Sequence, residues 1–144
     1  MGKRRSSREL AIRFLYLTEM NAGEWQQQLE QFWERNPCQE DIRAYTEELV
    51  GYVFEHRPEI DALVARFSDH WTLERMGVID RNLLRLAVAE IQYSENVPAP
   101  VAINEAVEIA KRYGTDESPQ FINAVLDQIR KQAEADRVTK TPAE

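Results

Sequence analysis

The sequence has few of the residues that build disulfides or metal sites. Its one cysteine, Cys38, cannot form an internal disulfide, which favours a reducing compartment. The two histidines, His56 and His70, stand 14 residues apart without a CxxC or HExxH pattern. We therefore expect both histidines to be ordinary surface or boundary residues, and we predict no metal ion.

Motifs of catalysis and of cofactor binding are also missing. Gly51, Gly77 and Gly114 are isolated, so no glycine-rich phosphate loop is present, and no serine lies in a GxSxG motif. Acidic residues are plentiful, but they are typical of solvated helix faces and no pair is singled out. We therefore predict a protein that works by binding, without a cofactor and without catalysis.

Long apolar runs are absent as well. No stretch approaches the roughly 18 apolar residues of a membrane-spanning helix. The N-terminus is basic, but it lacks the apolar segment that a signal peptide needs. These absences predict a cytoplasmic protein.

Glycine and proline are scarce enough to favour long helices. The chain has 5 Gly and 6 Pro among 144 residues, and 43% hydrophobic residues supply a core. Apolar residues recur at helical spacing, which predicts an all-α fold of about seven helices. The predicted helices span about 6–20, 24–35, 39–56, 58–67, 78–93, 101–113 and 118–132, with a single turn at 73–76.

Local signals refine these helices. Ser6 and Glu9 fit a capping box at the first helix, Gly114 fits a C′ position, and the polar tail from Ala133 is expected to fray. The segment 78–93 is apolar over so wide an arc that we expect it to be central, with Leu86 in its middle. A break near 56–58 predicts one domain, 1–144, with an N-terminal bundle of about 4–56 and a C-terminal bundle of about 58–132.

Charge is unevenly distributed along the chain. The net charge is −7, which by itself argues against a general nucleic-acid binder, yet residues 1–13 carry a net charge of +4 and the remaining 131 residues carry −11. Arginines of the N-terminus can pair with phosphates and stack on bases. From charge alone, two interpretations stay open: an RNA contact, or a flexible basic start that aids solubility.

Three segments, in order, resemble motifs of one family. The first is RRSSRELA at 4–11, followed by FLY at 14–16. The second is DRNLLRLA at 80–87, ending in Glu90. The third is VP at 97–98 with VAINEAVEIAKRYG at 101–114, followed by FINAVLD at 121–127. Together they resemble the NusB family of bacterial transcription antitermination factors.

The resemblance implies a fold and a function. The fold is all-α, with two packed three-helix bundles. The function is antitermination: the family binds the single-stranded boxA segment of nascent RNA together with NusE, a ribosomal small-subunit protein. The pair joins the RNA polymerase antitermination complex, notably on ribosomal RNA operons.

The resemblance also implies site residues. The expected RNA-binding residues are Lys3, Arg4, Arg5, Arg8, Tyr16, Glu74 and Phe121. The expected NusE-binding residues are Asp80 and Arg81. The four basic residues would bind phosphates from an exposed N-terminus, so we expect replacement of Arg4, Arg5 and Arg8 to leave stability nearly unchanged.

Structural interpretations stay open for several of these residues. Tyr16 either stacks a base or packs at the rim of the core, and Phe121 either faces RNA or is pure core. Arg81 and Arg85 lie four residues apart, so they either bind a partner or pair with Asp80 and Glu90.

A structural interpretation is also open for two polar residues of the third motif. Asn104 and Glu105 are expected to be structural, with Glu105 near the positive end of its helix and Asn104 tying down the preceding turn.

Two other functional classes remain. The same fold occurs as the RNA-facing domain of some ribosomal RNA cytosine methyltransferases, whose chains continue into a catalytic domain. This sequence stops at Glu144, so we expect no enzyme unless it is a fragment. A helical scaffold that binds only protein is the second alternative. RNA binding with and without NusE separates these classes.

Overall fold

The computed structural model describes residues 2–68 and 72–140, with side chains described up to Asp136. His70 lies outside the described residues. The described part is all helical, which confirms the predicted fold class. Its elements are α1 (Lys3–Met20), α2 (Trp25–Arg35), α3 (Glu40–Glu55), α4 (Arg57–Phe67), a 3-10 helix (Leu73–Arg75), α5 (Val78–Tyr93), α6 (Ala99–Tyr113) and α7 (Ser118–Lys140).

Helix α5 is the centre of the molecule. It packs against α1, α3, α4, α6 and α7, and every residue from 82 to 90 is buried. Leu86 is 3% exposed. This confirms the prediction from its wide apolar arc, because a helix packed on several sides cannot present a polar face.

The remaining helices form two groups around α5. Helix α1 packs on α2 and α3, while α6 and α4 pack on α7. Helices α3 and α4 meet at His56, which ends the first and precedes the second. The division into bundles of about 4–56 and 58–132 stays a prediction, since α1 and α3 are joined to the other group through α5.

Helix α1 begins earlier than predicted. Gly2 is its N-cap, and the Ser6 hydroxyl donates to the Gly2 carbonyl instead of capping a helix that starts beside it. Lys and Arg are good helix formers, so the basic residues extend the helix toward the N-terminus. Glu9, the other half of the predicted capping box, pairs with Arg112 of α6 at 3.0 Å.

Helix α7 ends later than predicted. The tail from Ala133 was expected to fray, but the helix continues to Lys140. Contacts one turn apart support it: Arg130 pairs with Glu134, and Gln132 donates to Asp136.

The turn between α6 and α7 needs glycine for space. Gly114 is the C-cap of α6 with φ −93°, so it does not adopt the left-handed conformation that is typical of a C′ glycine. A Cβ at this position would meet the Ser118 hydroxyl at 2.5 Å and the Ala110 carbonyl at 2.9 Å. Ser118 is buried there and accepts from the Thr115 N–H at 2.9 Å, which closes the turn.

Membrane-spanning helices and metal-binding groups are both absent from the described residues. In the residues that the structure describes, no helix is long and apolar enough to cross a bilayer. Over the same residues, no group of three or more His, Cys, Asp or Glu side chains could hold a metal ion.

Candidate nucleic-acid interface

The predicted phosphate-binding residues lie in the first two turns of α1. We call Lys3, Arg4, Arg5 and Arg8 the basic cluster. Because they belong to a helix, their backbone is ordered and they do not form a flexible N-terminal segment. The first turn contains no acidic residue, so the positive end of the helix dipole adds to the charge of the cluster.

Arg8 is buried. Its Nε donates to both carboxylate oxygens of Glu90, at 2.9 and 3.0 Å, and its Nη2 lies 2.8 Å from Glu90 Oε2. Arg8 is 5% exposed and Glu90 is 1% exposed. Burial opposes the charge of Arg8, but the hydrogen bonds and charge of Glu90 outweigh it and raise the Arg8 pKa. This placement corrects the expectation of an exposed, structurally neutral Arg8, because its removal would leave a buried carboxylate without its cation.

Arg5 is held by an acidic residue of α6. Its Nε and Nη2 donate to Glu105 at 2.9 and 2.7 Å, and Arg8 reaches the same carboxylate at 3.3 Å. The hydrogen bond from Arg5 and the two positive charges hold the pKa of Glu105 below its usual value. Glu105 was expected at the positive end of its helix, but α6 begins at Ala99, so its actual role is to fasten α6 to α1.

Lys3 and Arg4 are the exposed members of the basic cluster. Lys3 Nζ lies 2.7 Å from Asp41, and both side chains are more than half exposed, so solvent weakens this pair. The guanidinium of Arg4 lies over the ring of Tyr45, with 3.7 Å between its central carbon and the ring centroid. No described acidic side chain pairs with Arg4. These two cations are therefore the most accessible to a phosphate.

An open pocket of about 550 Å³ lies beside the basic cluster. Its other wall is the connection between α5 and α6. Asn96 turns this connection back with φ 65°, a left-handed conformation that asparagine tolerates. Val97 and Pro98 then face Arg4 and Arg5 across the pocket. The pocket therefore combines the cations of α1 with apolar surface, and the carboxylates of Glu95 and Glu105 also line it.

Tyr16 lies about 18 Å farther along α1 than Arg4. It is 44% exposed and lines a second pocket of about 650 Å³ with Tyr113, which is 40% exposed. Arg13 and Arg35 contribute to the same pocket. Tyr16 is therefore accessible to a base at the surface, while its role in stacking stays a prediction.

The opposite end of α1 carries a second charged cluster. Arg81 binds Glu19 through two nitrogens and donates to the Met76 carbonyl at 3.0 Å. Asn82 donates to Glu19, and Arg85 binds Asp61 at 2.8 Å. Burial raises the pKa of Glu19, but hydrogen bonds from Arg81 and Asn82 outweigh it and lower the pKa.

These contacts correct the expected pairs of Arg81 and Arg85. Neither arginine pairs with Asp80 or Glu90, because the packing of α1 and α4 on α5 brings Glu19 and Asp61 to them. Arg81 is committed to this internal cluster, so it is a weaker candidate for a partner contact than the sequence indicated.

The other predicted contacts occupy three positions. Asp80 is half-buried in the first turn of α5 and has no ion-pair partner among the described residues. Glu74 is exposed in the 3-10 helix. Phe121 is half-buried in the first turn of α7 and packs against the hydrophobic core. The structure thus brings the basic cluster together but sets Asp80 and Glu74 apart from it.

Sequence reasoning missed Tyr45 and Tyr113. Tyr45 lies in 21–45, a segment that matches no family motif. Its helical spacing indicates a core-facing position on the third helix, but does not indicate its contact with Arg4. Tyr113 lies within the third motif, but nothing in its spacing showed that α6 would end beside Tyr16. Both roles depend on which helices pack together, and helical periodicity does not specify this.

Comparisons with known proteins identify the family of the chain. The profile of the NusB family matches residues 5–131. The transcription antitermination protein NusB of Thermodesulfovibrio yellowstonii is 43% identical over 140 residues, which cover 90% of this chain and 93% of that protein. The structure is similar to that of T. maritima NusB, with TM-score 0.83, 35% identity, and coverage of 90% of this chain and 91% of that one.

A further solved structure contains partners. It is a crystal structure of the antitermination factors NusB and NusE in complex with dsRNA, and its matching chain is 27% identical with TM-score 0.81. The match covers 90% of this chain and 97% of that one. The family profile spans most of the chain, and a relative above 40% identity covers nine-tenths of it, so this chain belongs to the NusB family.

Proposed function

We propose that this chain is a non-catalytic transcription antitermination factor that binds boxA-type nascent RNA together with NusE, notably on ribosomal RNA operons. The observation that carries the proposal is the exposed half of the basic cluster, Lys3 and Arg4, at the start of α1. The chain belongs to the NusB family, and one solved relative is in complex with NusE and dsRNA. The chain's place of action would be the cytoplasm, where nascent bacterial transcripts are made.

RNA would bind at the N-terminal end of α1. Arg4 and Lys3 offer accessible donors, and the dipole of α1 attracts anions to the same end. Arg5 contributes less, because its guanidinium already pairs with Glu105 at 2.7 Å. Few effective cations on a protein of net charge −7 predict weak binding to RNA by the chain alone.

NusE would supply what the chain lacks. A protein partner bound beside the RNA enlarges the surface that the RNA contacts, and an acidic chain suits a basic ribosomal protein. We propose that the partner surface lies around Asp80, near the end of α1 opposite the basic cluster, because this acidic side chain has no described ion-pair partner. The mechanism is therefore assembly: two weak contacts combine to load the antitermination complex.

The experiment measures RNA binding with and without NusE. Fluorescence anisotropy at physiological salt compares labelled boxA RNA with a scrambled single strand, duplex RNA and duplex DNA. We expect boxA RNA to bind best, and NusE to tighten that binding. Arg4→Ala should weaken the binding of boxA RNA, and Arg66→Ala serves as its control, since it removes an exposed arginine of α4 outside the basic cluster.

Other outcomes identify the other functional classes. Equal binding of boxA and scrambled RNA, unchanged by NusE, would contradict the proposal. NusE binding without any RNA binding would favour a scaffold that contacts only protein. Duplex RNA is included because the solved relative holds dsRNA, so preferential duplex binding would change the proposed substrate from a single strand to a helix.

A further inference from the structure

Tyr45 of α3 lies beneath Arg4, the member of the basic cluster that no described carboxylate neutralises. The central guanidinium carbon of Arg4 is 3.7 Å from the centroid of the Tyr45 ring. A cation over a ring face is attracted by the ring's electron density, and the contact uses no N–H group. The ring therefore supports Arg4 and leaves its donors available.

The Tyr45 ring is itself fixed in place. Tyr45 is 5% exposed, its hydroxyl donates to Glu90, and that hydroxyl lies 3.2 Å from the Ser94 hydroxyl. Burial and the hydrogen bond to Glu90 raise the pKa of Tyr45 to about 12, so the ring stays neutral at physiological pH. Glu90 is held in turn by Arg8. A continuous series of contacts thus runs from the core through Arg8, Glu90 and Tyr45 to Arg4.

Arg4 stands at the end of this series on the wall of the pocket beside the basic cluster. A free arginine side chain loses rotamer freedom when it is immobilised, and this loss opposes binding. A guanidinium already held against a fixed ring loses less when it meets a phosphate. Preorganisation of this kind increases affinity without adding a contact.

We propose that Tyr45 is a positioning residue of the RNA site, whose buried ring holds the Arg4 guanidinium in the orientation that binds an RNA phosphate. This inference rests on the proposed function, because it concerns the same RNA site. It assigns Arg8 and Glu90 a supporting role: they fix the ring and do not themselves contact RNA.

The test combines two sets of variants with boxA RNA and NusE. Arg4→Lys keeps the charge but not the planar guanidinium, and we expect it to weaken RNA binding about fivefold. Its control is Arg66→Lys, which replaces an exposed arginine lying 5.0 Å from the Phe67 ring centroid on α4, and we expect no change.

The second set changes the ring. Tyr45→Leu should weaken RNA binding about fivefold in the wild-type background. Tyr45→Phe should weaken it by no more than about twofold, because it keeps the packed ring and loses only the hydrogen bond from the hydroxyl to Glu90. In an Arg4→Ala background, Tyr45→Leu should cause no further loss of RNA affinity. A thermal melt of each variant records stability separately.

Each outcome decides the inference. Equal losses from Tyr45→Leu with and without Arg4 would show a purely structural effect and overturn it. If Tyr45→Leu does not fold, the RNA affinity of Arg4→Lys decides the inference, because a substitution at this exposed position does not threaten folding. An Arg4→Lys variant that binds boxA RNA with wild-type affinity would overturn the inference. If the wild-type chain binds boxA RNA but the variants do not show the predicted losses of affinity, only this inference is contradicted. Wild-type chain that binds no RNA contradicts the proposed function and the inference together.

Discussion

Arg8 of α1 and Glu90 of α5 form a buried ion pair that joins the N-terminal helix to the central helix, with Nη2 and Oε2 2.8 Å apart. The Tyr45 hydroxyl donates to the same carboxylate. Arg8 is thus the buried member of the basic cluster. Residues on its outer side face solvent, whereas Arg8 serves the fold.

Replacement of Arg8 should therefore be costly to the fold. We expect Arg8→Ala to lower the free energy of unfolding by about 3–5 kcal/mol, because it leaves Glu90 buried without its cation. Arg4→Ala, the matched control on the exposed side of the same helix, should change it by less than about 1 kcal/mol. Urea unfolding of both variants measures the difference. A loss below about 1 kcal/mol for Arg8→Ala would contradict the structural role.

Arg4 and Arg5 should differ in how they contribute to RNA binding. One phosphate contact contributes about 0.7 to the slope of log affinity against log salt for a single strand. We expect Arg4→Ala to flatten the slope by about that amount, and Arg5→Ala to flatten it less because Glu105 already pairs with Arg5. Titrations of boxA RNA over a salt series give both slopes. Equal slopes for both variants and wild type would place the RNA site elsewhere.

Reversal of charge at Asp80 tests the proposed NusE-binding surface. We expect Asp80→Lys to weaken NusE binding and to leave the RNA affinity of the isolated chain unchanged, since the basic cluster lies at the other end of α1. Glu30→Lys is the control, with the same charge change on an exposed position of α2. NusE affinity, RNA affinity and melting temperature are measured on each variant.

Three results would alter that interpretation. Lower stability alone would mean that Asp80 only favours the dipole of α5, an effect of about 0.3–1 kcal/mol. Unchanged NusE affinity would move the partner surface elsewhere. A parallel loss of RNA binding by the folded chain would show that the two surfaces are not separable.

Acid should loosen the attachment of α6 to α1. The folded-state pKa of Glu105 is lowered from 4.5 by its hydrogen bond to Arg5, so its contribution to stability is complete above pH 4.5. That contribution is lost as the pH falls below 4.5 toward the depressed folded pKa. Glu105→Gln should therefore reduce the dependence of melting temperature on pH in this acidic range. An unchanged dependence would mean that other carboxylates account for the acid sensitivity.

Much of the fold could be predicted because helical periodicity is local. The seven α-helices of the described residues and the central position of α5 follow from apolar spacing within each segment, and Leu86 is buried as expected. The ends of α1 and α7 could not be predicted as well, because capping and side-chain contacts decide whether a polar terminal turn stays helical.

The ion pairs of the site could not be predicted from the sequence. Arg8 and Glu90 are 82 residues apart, and Arg5 and Glu105 are 100 residues apart. Such partners are set by helix packing, which the order of residues does not display. The N-terminal charge excess pointed to the region of the basic cluster, but only the packed helices separate the accessible Arg4 from the buried Arg8.

The most direct test of assembly is the affinity of the chain for NusE, measured by calorimetry with and without saturating boxA RNA. Linkage requires that RNA tightens NusE binding by the same factor by which NusE tightens RNA binding. We expect that equality with boxA RNA and no enhancement with a scrambled strand. A NusE affinity that boxA RNA leaves unchanged would contradict the account.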